Sequence, residues 1–124
     1  MLRTLDFDVA TDKFYEVLIK KAPDIAVKFG DMQRQKTMMI VALRSIDDKV
    51  RDDGQLKDYM VMLGEKHKGY GFTEQHMKIG REAFEAAIDA GGKDISEERK
   101  QVYLDAFTEL ERMMGFDMDG TEDA

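Results

Sequence analysis

Apolar residues return along this chain every three or four positions, the spacing of one face of a helix. The first stripe holds Phe14, Tyr15, Leu18 and Ile19. It predicts a helix capped by Thr11 or Asp12 and running to about Lys21, after a short lead over residues 1–10. Pro23 ends that helix or opens a new turn through Ala26 towards Phe29. Gly30 breaks the chain again, and Asp31 is a good cap for the next helix. Met39, Ala42, Leu43, Ile46 and Val50 mark that helix, from about Met32 to Val50. Gln35 lies one turn before Met39 and projects onto the same inner face. Asp52-Asp53-Gly54 reads as a turn.

A further stripe of Leu56, Tyr59, Met60, Leu63 and His67 predicts a helix from about Gln55 to Lys68, stopped by Gly69 and Gly71. Thr73 caps the next, with Glu74 in its first turn. That helix runs to about Ala90, with Met77, Gly80, Phe84, Ala87 and Ile88 inside. Gly91-Gly92 is its stop. Ser96 caps the last helix, whose stripe is Tyr103, Ala106, Phe107, Leu110, Met113 and Met114. From Gly115 the tail is acidic and expected to fray.

The fold class these stripes predict is all-α. A single proline, few strand-like runs and many Ala, Met, Leu, Glu and Lys agree. The 124 residues make one domain. There is no cysteine, hence no disulfide framework, thiolate nucleophile or cysteine-based zinc or iron–sulfur site. No long apolar run marks a signal peptide or a membrane span, so a soluble cytoplasmic protein is expected. The net charge of −7 argues against nucleic acid and against anionic membrane surfaces as partners. Ten methionines suit core packing, and their thioethers also suit a flat aromatic ligand.

His67 carries two readings: a core histidine satisfied by a carbonyl, or an axial ligand to a metal or haem. Gln35 also has two, a solvated rim position or a polar group aimed inward. His76 is expected on or near the surface at the start of its helix. Phosphate loops, dinucleotide fingerprints and paired-histidine zinc spacings are missing. Asp117-Met118-Asp119-Gly120 resembles a calcium loop but lacks the ligand series and the closing Glu.

Together these residues resemble the globins, in particular bacterial single-domain haemoglobins and the globin domain of flavohaemoglobins. The segment from Phe14 and Tyr15 through Pro23 to Phe29 is similar to the family's B and C helices. Gln35 stands where such globins place a distal glutamine, and the spacing from Gln35 to His67 fits without a gap. Leu63-Gly64-Glu65-Lys66-His67, followed by Tyr70-Gly71-Phe72, resembles the proximal stretch. Tyr103, Phe107 and Leu110 resemble the last helix, so the likeness covers about residues 11–114.

The resemblance implies a three-over-three helical sandwich around haem b, with a shortened N-terminal helix. It implies His67 as the proximal iron ligand, with Tyr15 and Gln35 as distal hydrogen-bond donors. Phe29 would wedge the haem; Met38, Met39, Leu63 and Phe72 would line it, and Met77 would sit beneath it near His67. The implied ligands are dioxygen, NO and CO. Two donors at about 1–1.5 kcal/mol each would stabilise bound dioxygen by a few kcal/mol.

This sequence departs from the pattern in three ways. The N-terminal helix is short, and so is the loop between Phe29 and Gln35. Flavohaemoglobins place a tyrosine and a glutamate near the proximal histidine. An ungapped match puts Met77 at that tyrosine, a one-residue gap puts His76 there, and no convincing equivalent of the glutamate stands near Met118. The 124 residues leave no room for a flavin reductase domain, so none is expected. The leading expectation is therefore a reversible oxygen-binding globin, with the balance leaning away from an enzyme. The alternatives are a nitric oxide dioxygenase with an external reductase, and a haem-free globin-like interaction or sensor domain.

Overall fold

The computed structural model describes residues 5–49, 53–69 and 71–116. Val50, Asp52, Tyr70, the calcium-like stretch and the tail from 117 onward lie outside the described residues. Six helices run through the rest: α1 (Phe7–Lys21), α2 (Pro23–Ala26), α3 (Met32–Lys49), α4 (Asp53–Lys68), α5 (Glu74–Gly91) and α6 (Glu97–Met113). No strand occurs among the described residues.

Local chemistry sets most of the boundaries. Asp31 accepts the amides of Gln33 and Arg34 and starts α3. Thr73 caps α5 and Ser96 caps α6 by accepting the amides of His76 and Arg99. Pro23 opens α2, where its missing N–H costs nothing. Two starts differ from the sequence reading. The first helix begins at Phe7 because Asp6 is its cap, accepting the Val9 amide at 3.1 Å. Thr11 is not a cap; it is interior and 1 % exposed. Asp53 and Gly54 form the first residues of α4 rather than a turn.

The helices pack in two layers. In one, α1 lies against α5 and α5 against α6; α3 and α4 adjoin each other and cross the first layer at α1 and α6. The contact of α1 with α5 is close because residue 91 is glycine. A Cβ there would stand 2.7 Å from the Asp6 carbonyl oxygen and 2.9 Å from Ala10 Cβ. Leu43, Met60, Phe84, Ile88 and Tyr103 fill the space between layers. Two polar junctions brace it. Tyr103 donates to Asp47 at 2.9 Å, and Arg99 pairs with the same carboxylate, joining α3 to α6. Burial, and then the Asp47 bond, push the Tyr103 phenol well above its ordinary range. Arg81 of α5 grips buried Glu111 of α6 with contacts of 2.7 and 3.2 Å.

Candidate functional site

Between the layers lies a cavity of about 230 Å³. Phe14, Ile25, Phe84, Phe107, Leu110 and Met114 give it apolar walls. Eight of the nine residues expected to form a site line it: Tyr15, Phe29, Gln35, Met39, Leu63, His67, Phe72 and Met77. They come from α1, the segment after α2, α3, α4 and the start of α5, so only the tertiary fold gathers them. Met38 is the correction. It is 49 % exposed and stands outside the cavity, beside outward-facing Val41 on the same helix. The inner stripe of α3 runs through Gln35, Met39, Leu43 and Ile46, which leaves residues 38 and 41 on its flank.

His67 sits in the last turn of α4. Its Nδ1 is 2.7 Å from the Leu63 carbonyl oxygen. A carbonyl only accepts, so the ring proton is on Nδ1 and Nε2 carries the lone pair. The bond satisfies the structural reading of this histidine. It also leaves the ring in the tautomer that a ligand to iron needs. The Phe72 ring lies 6.3 Å away, tilted by 42°.

The polar wall comes from Tyr15 and Gln35. Tyr15 is 7 % exposed, and burial pushes its phenol up to about 12. The hydroxyl therefore keeps its proton at any physiological pH. It donates to the Gln35 carbonyl oxygen at 3.2 Å. The Gln35 amide donates to the Phe29 carbonyl oxygen at 3.3 Å. The Phe29 ring meets the Tyr15 ring edge-on, centroids 5.6 Å apart. Both donors are thus held by backbone carbonyls, and each would turn to reach a bound molecule.

His76 stands near the surface at the start of α5, as its position predicts, with its side chain 16 % exposed; it also lines the cavity. Its Nδ1 accepts the Thr73 amide at 3.1 Å. The proton must then be on Nε2, which donates to Asp24 Oδ2 at 2.8 Å. That bond is the main reason the Asp24 carboxyl is held below its usual range. One sequence signal was available. Thr73 and His76 have the spacing of a capping box, so the histidine was bound to fold back onto its own helix start.

Fold and cavity define the class: an all-helical protein with an apolar ligand cavity between its layers, one imidazole on one wall and a phenol and an amide on another. The family model for Globin matches residues 12–114, and the chain belongs to the globin family. Comparison with curated proteins and with solved structures gives no match.

Proposed function

We propose that this protein is a haem-binding globin of the bacterial single-domain kind that reversibly binds dioxygen, and also NO and CO. The observation that carries the reading is the Nδ1 bond of His67 to Leu63, made in the wall of the cavity that also holds Tyr15 and Gln35. That donor set suits haem b: an imidazole is a ligand for iron, and apolar walls suit a porphyrin. Among the described residues no three His, Asp or Glu side chains converge as a metal cluster. An iron held by His67 would thus come with a macrocycle of its own. When bound, haem supplies the ferrous iron at which diatomic gases are taken up.

The chain's own residues supply the rest. His67 holds the cofactor by Nε2, its ring fixed by the Leu63 carbonyl. Phe29, Met39, Leu63, Phe72 and Met77 keep water from its faces. Tyr15 and Gln35 offer an O–H and an N–H to a ligand that gains negative charge, and a dry surrounding strengthens both. A chain without cysteine suits the reducing cytoplasm, and no helix among the described residues is long and apolar enough to cross a membrane.

The test is an absorption spectrum of the protein supplied with haem, in ferric, reduced and CO-treated forms. An intense Soret band that shifts on CO, and is lost in His67→Ala, is the expected result. A protein that stays colourless, or a His67→Ala variant with unchanged ligation, refutes the reading. Steady NO turnover with an added reductase would move the assignment to the dioxygenase.

A further inference from the structure

The segment that carries Phe29 is weakly built. Helix α2 has four residues, and a single turn gains little from its own backbone bonds. Ile25, 3 % exposed, is its one buried side chain. Yet the polar wall of the cavity depends on it. Phe29, three residues beyond α2, holds the Gln35 amide on its carbonyl and the Tyr15 ring against its own.

Among the described residues, one side-chain hydrogen bond ties α2 to another helix: His76 Nε2–H to Asp24 Oδ2. His76 is a firm anchor. Thr73 holds its second ring nitrogen, and Phe72 packs edge-on against the ring, centroids 6.2 Å apart. Phe72 in turn lies beside His67. The run Asp24, His76, Phe72, His67 therefore spans the cavity rim, from the support of one wall to the other.

We propose that His76, acting through Asp24, is a positioning residue: the pair pins α2, and with it Phe29 and Gln35, against the Phe72–His67 wall and so closes the cavity rim. With the pair broken, α2 opens more often, and whatever the cavity holds is released faster. The second consequence rests on the haem reading; the first does not.

Two substitutions separate the brace from its surroundings. His76→Glu keeps the capping box, because glutamate at that position accepts the Thr73 amide, but its carboxylate has no N–H to donate to Asp24. Asp24→Ala removes the partner and leaves the cap of α5 intact. Asp24→Asn retains an acceptor oxygen for Nε2–H and is the rescue. Hydrogen exchange is read at the Ile25, Ala26, Lys28 and Phe29 amides, all bonded within the segment.

A brace of ordinary hydrogen-bond strength predicts about fivefold faster exchange in His76→Glu and in Asp24→Ala. The double variant should be no faster than either single, and Asp24→Asn should stay within about twofold of wild type. Wild-type rates in His76→Glu, or additive effects in the double variant, overturn the proposal. Haem release into excess apomyoglobin should rise in the same order. Faster exchange with unchanged haem release overturns the role at the cavity rim. A wild-type chain that takes up no haem refutes the haem reading alone, and the exchange result then decides the brace.

Discussion

Replacing Tyr15 with phenylalanine tests the polar wall without needing the cofactor. The substitution removes one hydroxyl and keeps the ring, with its edge-on contacts to Phe14 and Phe29. The lost bond, to the Gln35 carbonyl at 3.2 Å, is long and neutral. Gln35 lies in the first turn of α3 and its carbonyl keeps its role in that helix, so it is not orphaned. The stability lost at pH 7 should therefore be within about 1 kcal/mol.

Alkaline pH gives the sharper measurement. Burial raises the phenol to about 12, from an ordinary value of 10.0. A group raised in the folded state contributes stability that is full below its unfolded value and is lost as pH climbs towards the folded one. Tyr15 should thus cost the wild-type protein about 1.4 kcal/mol between pH 8 and 11, and the phenylalanine variant should be spared that loss. Urea unfolding of both proteins at pH 8 and pH 11 reads the difference. Equal losses in the two would refute the inference that this phenol is buried as a neutral donor. If the hydroxyl also donates to a haem ligand, the variant should release dioxygen about tenfold faster, the equivalent of one good hydrogen bond.

Three other substitutions bear on the scaffold. The Thr11 hydroxyl is buried with no hydrogen-bond partner, so Thr11→Val should raise stability by about 1 kcal/mol in thermal or urea unfolding. Gly91→Ala drives a methyl into the Asp6 carbonyl and Ala10, and should cost about 1–3 kcal/mol; an unchanged melting temperature would mean α1 and α5 are not this close. Glu111→Ala leaves Arg81 without its buried partner. Arg81 is 26 % exposed and keeps Glu85 at 3.7 Å, so the loss should fall near the low end for a broken buried pair, about 3 kcal/mol by chemical denaturation.

The features legible in the chain and those hidden from it divide along the range of the forces involved. Helix number and type were legible because a helix is written every three to four residues, and the caps at Asp31, Thr73 and Ser96 act within three residues. The start of α1 was misread for the opposite reason. Thr11 has the chemistry of a cap, but packing along α5 makes it interior, and Asp6 takes the role while its own amide bonds to the Gly91 carbonyl. Likewise, periodicity placed Gln35 and Met39 on the inner face; Met38, one position away, needed the real crossing of the helices to show it on the flank.

The site follows the same rule. His67 at the end of an apolar stripe, and the Leu63 carbonyl that holds it, lie within one helical turn, so the sequence by itself determined where this imidazole would stand. It also determined that helices, and no strands, would make up the described residues. The tertiary structure alone decided that His76 meets Asp24, a partner 52 residues away. It alone decided that Tyr15 and Gln35 rest on backbone carbonyls and not on each other's side chains. Such pairings are fixed by how helices cross, a geometry that depends on the summed packing of many distant side chains and leaves no periodic trace in the chain.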